Sequence, residues 1–388
     1  MFSIKVKSIE TLLFFISAAL VPMYFTDFRF PTGGVIIRLS DLMAIFVILS
    51  FSFLFLRGRV KISYPIGVNY ILFFLMYCFF NALIQSGLFK ALVATLQWVM
   101  ILFSLVIVYS NAVTNPEKFK KIFIITLLII CFFTVLYHVL NGHYTRYKNL
   151  GDARYSFALA GVVLLSCCFY YSERKFLKYL VVLYPVIILS MERKGILVFH
   201  IVFVFYMLYI LKPLYRYFLT AAIAFFVLIF ILFFDLSFLT NISVFEYSEL
   251  EMLYLDEEQA FWVSNLHRQS LLENGWDIFS NNYVFGVGPK MLQSYMMNYY
   301  IHPSLGLYTH NVFLDTLVEQ GVIGLFLLLL PYFIFYKNII RRAESKEKMI
   351  FFGLCMYSFF MLFFMSGGAP SMLLFYFPIF MGFVIHKK

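Results

Sequence analysis

The most restrictive feature of this sequence is a series of long apolar runs separated by charged and turn residues. In lipid a backbone N–H or C=O group finds no water, so it must be hydrogen-bonded within the protein. Runs of about 20 residues without strand-like alternation therefore predict membrane-spanning helices rather than a barrel. The composition agrees, since 63% of residues are hydrophobic and 13% are charged. We expect an all-α polytopic membrane protein.

The boundaries of the apolar runs predict about twelve transmembrane helices. The first run follows two lysines and resembles a signal peptide, but no small-residue cleavage site precedes a soluble domain, so it is interpreted as a retained span. The seventh run is short and contains Pro185. The predicted spans lie near residues 9–25, 40–56, 65–84, 91–109, 122–140, 155–171, 177–192, 195–211, 217–234, 311–336, 349–366 and 370–386.

The basic residues orient this series of spans. With the N-terminus inside, two thirds of the Lys and Arg residues fall in the cytoplasmic connections, and every such connection contains some of them. This agrees with the positive-inside rule and predicts that both termini are cytoplasmic. The scattered distribution argues against nucleic-acid binding. All five cysteines lie in apolar runs, so a disulfide framework is not expected.

One long hydrophilic segment faces outward in this topology. The chain thus divides into spans 1–9 over residues 1–234, an outer loop over 235–309, and spans 10–12 over 310–388. The loop has an amphipathic stretch from Glu257 to Phe279, predicted to be helical, and a glycine turn at Gly286 and Gly288. Since the other connections are short, this loop is expected to carry function.

Basic residues on the outer face are unusual because they oppose the orientation rule. Arg193 and Lys194 follow the seventh span, and Arg268 lies on the amphipathic stretch. Guanidinium groups bind diphosphates well because they stay charged and contact two oxygens at once. The alternative is an anchor to lipid headgroups or a partner for Glu192. For Arg146, Lys148 and Arg154, also on this face, the anchor is the favoured interpretation.

His310 lies where the outer loop enters the tenth span. Asn311, Asp315 and Glu319 follow at four-residue intervals and form a polar stripe at the start of that helix. An acidic group as deep as Glu319 is expected to face a protein interior or a water-filled cavity. A neutral imidazole here could take a proton from a hydroxyl near neutral pH. The alternative is a histidine that merely caps the helix.

These residues carry a family resemblance. His310-Asn311 followed after nine residues by Gly321, and after two more by Gly324, resembles the signature of the O-antigen ligase and O-antigen polymerase superfamily. The upstream segment from Asn282 to Pro289 resembles the turn that precedes this signature. The order of Arg193 and Arg268 matches two outward arginines of the family. The resemblance covers residues 190–336 and is only topological elsewhere.

The resemblance implies a metal-independent, inverting glycosyl transfer from an undecaprenyl diphosphate-linked glycan, without a cofactor, on the periplasmic face of the bacterial inner membrane. His310 would be the base that activates the acceptor hydroxyl. Arg193 and Arg268 would hold the diphosphate, with Lys194 in support, and the polar stripe would orient the imidazole. Small residues at Gly321 and Gly324 would let helices or a lipid tail approach closely.

Three functions remain open. The first is a polymerase that transfers a growing glycan to the next lipid-linked repeat unit, with a chain-length regulator as a further candidate partner. The second is a ligase that transfers the glycan to the lipid A core. Leu325, where the ligase pattern has Gly, Thr or Tyr, and the short spacing from Arg268 to His310 favour the polymerase. The third is a flippase, which the lack of an internal repeat disfavours.

Overall fold

The computed structural model describes residues 6–24, 29–32, 35–65, 67–140, 257–297 and 308–341, with single helical positions between 184 and 221 and between 355 and 376. The described part is predominantly helical, as the apolar runs predicted. Three of its helical segments are long and apolar enough to cross a membrane: Leu39–Leu56, Val68–Ser86 and Val312–Asn338.

Five helices form the N-terminal half of the described chain. They coincide with the first five predicted spans, and each begins or ends within a few residues of the predicted boundary. The short connections between them contain Gly87, Asn115 and the basic segment from Arg57 onward. These helices are α1 (Val6–Tyr24), α2 (Leu39–Leu56), α3 (Val68–Ser86), α4 (Leu88–Thr114) and α5 (Pro116–Leu140).

A short antiparallel hairpin lies between α1 and α2. Strand β1 (Arg29–Thr32) pairs with β2 (Val35–Arg38), with Arg29 opposite Arg38. In the sequence two glycines, at positions 33 and 34, stand between the strands. The all-α prediction missed this hairpin because it treated the segment only as an outer connection.

The N-terminal helices pack as a bundle with a few internal polar contacts. Helix α1 contacts α2 and α5, and α3 contacts α4. The Asn111 side chain on α4 donates to the Ser17 hydroxyl on α1 over 3.1 Å. Such a bond between buried polar groups satisfies both of them away from water.

The second described half begins with α6 (Glu257–Asn281), at the stretch predicted to be an amphipathic helix. A turn leads to the short helix α7 (Leu292–Met296), and α8 (Val312–Phe335) then follows the course of the predicted tenth span. A π-helical turn over Tyr336–Ile340 continues α8. Helix α8 packs against α3 and α6, and thus joins the two halves.

The other six predicted spans lie outside the described residues, except for isolated helical positions. Tyr184, Phe199, Tyr217, Leu362 and Tyr376 are among those positions. The total of twelve spans, the orientation of the termini and the division at residues 234 and 309 therefore stay predictions.

Candidate functional site

Helix α8 is interrupted at Gly321. This residue has φ 66° and ψ −171°, outside the helical region. In a regular helix the Val318 carbonyl would accept from the amide of Val322. Instead it accepts from the Val287 amide at 2.9 Å, and the Val322 amide donates to the Tyr283 carbonyl at 2.9 Å. The turn after α6 is thus hydrogen-bonded into the gap in α8.

Glycines allow the two backbones to approach. A methyl group on Gly321 would overlap the Val284 carbonyl and lie 2.7 Å from the Phe285 nitrogen. A methyl group on Gly286 would lie 2.6 Å from the Glu319 carbonyl oxygen. Both glycines have positive φ, which other residues adopt only at a cost. We call residues 283–288 together with 318–322 the glycine clasp.

Two side chains of α3 bind the glycine clasp from the N-terminal half. The Tyr77 hydroxyl donates to the Gln320 carbonyl at 2.7 Å, next to the break. The Asn81 amide donates to the Phe285 carbonyl at 2.8 Å and is 3.2 Å from the Gln320 side-chain oxygen. Gly324 lies where α3 approaches, since a methyl group there would be 3.3 Å from the Tyr77 ring. Carbonyls that the break releases are therefore hydrogen-bonded again.

His310 immediately precedes the cap of α8 and has a left-handed backbone. Its φ is 55°, an uncommon value for a residue with a side chain. Asn311 is the cap itself, because its side-chain oxygen accepts from the amides of Phe313 and Leu314 at 3.0 and 3.1 Å. The capping role considered for His310 is thus filled by Asn311.

A buried network fixes the backbone on both sides of His310. The Asp315 side chain, only 4% exposed, accepts from the Thr309 amide at 3.0 Å and from the Thr309 hydroxyl at 2.6 Å. The amide of Asn311 donates to the same hydroxyl at 3.2 Å. Because residues 309 and 311 are both held by hydrogen bonds, the backbone position from which the His310 side chain extends is fixed.

Removing the Thr309 hydroxyl should loosen this network. We expect Thr309→Val, which keeps the side-chain shape, to lower the free energy of unfolding by about 1–3 kcal/mol, because a buried carboxylate loses a donor. Thr309→Ser keeps the hydroxyl and should retain most of the stability. Thermal unfolding of the purified full-length variants in detergent checks this. Wild-type stability in Thr309→Val with a loss in Thr309→Ser would contradict this and assign the effect to the methyl group.

Helix α6 packs beside His310 and positions Arg268. A methyl on Gly275 would lie 2.6 Å from the Thr309 methyl, so the Thr309 side chain packs against the backbone of α6 at this glycine. Arg268 precedes Gly275 by two helical turns, about 10 Å along the axis, and projects from the same side of α6 as buried Leu271. Gly286, further along the chain, contacts Glu319, so α6 and α8 run in the same direction. Arg268 therefore lies beyond the start of α8, and its side chain is partly buried.

Two further polar groups lie near the start of α8. The Glu319 carboxylate accepts from the Leu292 amide at 3.4 Å, so it faces the segment that follows the clasp turn. Burial, and then the negative charges of Glu319 and Asp315, raise the pKa of Tyr308 above its ordinary value. Tyr308, two residues before His310, thus keeps its proton. Among the described residues, no three His, Cys, Asp or Glu side chains are grouped to hold a metal ion.

The structure brings together only part of the predicted site. His310, Asn311, Asp315, Glu319 and the four glycines lie along α8 and the clasp, and Arg268 lies on the packed face of α6. Arg193 and Lys194 lie outside the described residues. The sequence interpretation missed Thr309, Tyr77 and Asn81. The only signal for Asn81 was an amide inside an apolar run, which must find partners within the protein.

Comparison with known proteins connects these residues to a family. A family model described as O-antigen ligase matches residues 179–329, which include α6, α7, the clasp turn and most of α8. The chain is also 30% identical over 129 residues to the teichuronic acid biosynthesis protein TuaE of Bacillus subtilis strain 168. That alignment covers 31% of this chain and 26% of the relative, about a quarter of its length. The resemblance that the His310 signature suggested is confirmed, since residues 179–329 match the O-antigen ligase family model.

Proposed function

We propose that this protein is a glycosyltransferase that polymerises undecaprenyl diphosphate-linked repeat units of O-antigen or a related polysaccharide. The observation that carries the proposal is the setting of His310 within the family-matching segment. Its backbone is left-handed, and hydrogen bonds through Thr309, Asn311 and Asp315 hold both neighbours. Uncommon backbone conformations that the surroundings enforce occur often at active sites.

The proposed reaction is a single displacement. The His310 imidazole takes the proton from an acceptor hydroxyl, and the oxygen attacks the anomeric carbon of the donor glycan. The bond from that carbon to the diphosphate oxygen breaks, so the configuration inverts. The diphosphate leaves with its electron pair, and the guanidinium groups of Arg193 and Arg268 neutralise its charge. No cofactor enters this scheme.

The charge pattern and the apolar helices support the proposed place of the protein in the cell. An undecaprenyl diphosphate donor is itself a membrane lipid, so the enzyme needs a membrane-embedded frame. The basic connections support an inner-membrane protein with both termini in the cytoplasm and His310 at the periplasmic face. Arg268, beyond the start of α8, would meet the diphosphate near the headgroup level.

The ligase is the second candidate function, because the matching family model is described as O-antigen ligase. Donor, leaving group and base would be the same in both reactions, and only the acceptor would differ. The similarity to a teichuronic acid biosynthesis protein supports a role in polysaccharide biosynthesis more generally. Leu325 and the spacing between Arg268 and His310 keep the polymerase first.

A deletion strain distinguishes the two acceptors. If the protein is the polymerase, lipopolysaccharide of the deletion strain should carry single repeat units. If it is the ligase, the strain should show bare lipid A core while lipid-linked polymer accumulates. Normal polymer ladders in the deletion strain would contradict both functions. A deletion strain that has lost repeat-unit transport would indicate a flippase instead, provided that the His310→Ala variant restores this transport as well as the wild-type protein does.

Substitutions of Arg193 and Arg268 should have similar effects on glycan transfer. We expect Arg268→Lys and Arg193→Lys to reduce transfer partially, since lysine keeps the charge but loses the two-pronged contact. Arg268→Gln should reduce transfer more strongly. The rate of glycan transfer by purified variants on a lipid-linked substrate measures this. Arg341→Gln, an exposed arginine at the other end of α8, is the control and should match the wild type. Wild-type rates in Arg268→Gln would reduce Arg268 to a lipid anchor.

A further inference from the structure

A second feature of the fold, separate from the glycine clasp, is an apolar groove between α2, α3 and α4. Its volume is about 530 Å³, within the range of about 300–1,000 Å³ typical of small-molecule sites. It lies at the end of the bundle next to the connection from Arg57 to Gly67. The lining includes Phe51, Ser52, Phe55, Ile62, Leu72 and Phe103.

The connection that closes this end of the groove is fixed in place. The Ser63 amide donates to the Ser110 hydroxyl at 2.9 Å, and that hydroxyl donates to the Ser63 carbonyl at 2.7 Å. Ser110 belongs to α4, so the connection is tied to the bundle through both backbone groups of one residue. Its neighbours Ile62 and Tyr64 line the groove. The groove therefore has a built end wall rather than a loose loop.

Positive charge surrounds the same end. Arg57, Arg59 and Lys61 are all exposed, and the sequence from Arg57 to Gly67 has no acidic residue. The Arg57 guanidinium stacks over the Phe53 ring at 4.4 Å, which holds it against α2. An apolar groove in the membrane with cations at its mouth matches a molecule that has a hydrocarbon chain and an anionic headgroup.

We propose that this groove binds an anionic phospholipid of the surrounding leaflet, with an acyl chain between α2, α3 and α4 and the phosphate at the basic cluster of Arg57, Arg59 and Lys61. Hydrocarbon surrounds all membrane-spanning helices, so an apolar lining alone would not select one lipid. The headgroup contacts select the anionic lipid, and the shape of the groove keeps the acyl chain bound. The site is independent of the proposed glycosyl transfer.

Native mass spectrometry of the full-length protein tests this with defined lipids. The protein in mild detergent is incubated with equal amounts of phosphatidylglycerol and phosphatidylcholine, and the bound lipids are counted. We expect one retained phosphatidylglycerol, preferred by about fivefold for each basic residue that contacts its headgroup. Equal retention of the two lipids by the wild type would overturn the proposal.

Two kinds of variant locate the lipid. Ser52→Trp fills the groove and should abolish the retained phosphatidylglycerol. Leu49→Trp is its matched control, because Leu49 is on the same helix, is 65% exposed and does not line the groove. Retention in Ser52→Trp equal to that in Leu49→Trp would overturn the site.

A second test changes the charge of the basic cluster and does not require the helix bundle to accommodate a bulky side chain. Arg59→Gln/Lys61→Gln changes two exposed side chains and keeps Arg57 for orientation. Its preference for phosphatidylglycerol over phosphatidylcholine should fall to about fivefold or less, the contribution of Arg57 alone. An unchanged preference in this double variant would contradict the assignment of the headgroup, and would show that these cations serve only the topology of the chain.

Discussion

His310→Gly should abolish chain extension while the protein stays as stable as the wild type or becomes slightly more stable. The left-handed conformation at φ 55° costs a residue with a side chain about 1–2 kcal/mol, and glycine avoids this cost. A lost general base lowers the rate by about 100-fold or more. The rate of glycan transfer and the thermal unfolding temperature of the purified variant check the two halves of this expectation.

His310→Ala provides the comparison. It removes the imidazole but keeps a side chain in the left-handed backbone, so it should be equally inactive and less stable than His310→Gly. The pair separates the chemical role of the imidazole from the shape of the turn. Transfer at the wild-type rate in either variant would contradict the assignment of His310 as the base.

Gly321→Ala should be the most destabilising single change in the described site. A methyl there would overlap the Val284 carbonyl, and the backbone combination of φ 66° and ψ −171° is almost restricted to glycine. The backbone strain alone is about 1–3 kcal/mol, and the overlap must also separate the clasp turn from α8. We expect a loss of about 3 kcal/mol or more, or failure to fold, measured by thermal unfolding in detergent.

Gly58→Ala is the matched control for this change. Gly58 has the same φ of 66°, but a methyl there would meet nothing within 4 Å. It should therefore show only the cost of the backbone conformation, about 1–2 kcal/mol. The difference between the two variants measures the contact within the glycine clasp together with the extra backbone cost of ψ −171° at Gly321. Equal destabilisation would mean that the close approach of the two backbones contributes nothing.

Much of the helical framework could be predicted because, in lipid, the backbone hydrogen bonds of a span are made within the span itself. An apolar run must hydrogen-bond within itself, so its length and ends are visible in the sequence, as for α2, α3 and α8. The helix α6 was visible as an amphipathic stretch. The hairpin of β1 and β2 was not, because four-residue strands in a short connection leave little pattern.

The glycine clasp could not be predicted because its partners are distant along the chain. Gly286 and Gly321 were recognised as special, but close helix packing was the expectation for Gly321, whereas the structure shows a break in α8. Nothing local indicates that Tyr77 and Asn81, more than 200 residues upstream, donate to this segment. Tertiary contacts decided the conformation here.

The same limit applies to the role of Asn311. Its position after His310 suggested that it orients the imidazole. The structure uses its side-chain oxygen for two backbone amides of α8, and Thr309 takes the contact with Asp315. The polar stripe was therefore visible in the sequence. Which hydrogen bond each of its residues makes depended on the turn that precedes the helix.

The most direct measurement is an experimental structure of the full chain with bound undecaprenyl diphosphate. Our account expects phosphate oxygens within about 3.2 Å of guanidinium nitrogens from both Arg193 and Arg268, with His310 facing the same space. The two arginines at opposite faces of the membrane, or a diphosphate bound away from His310, would contradict it.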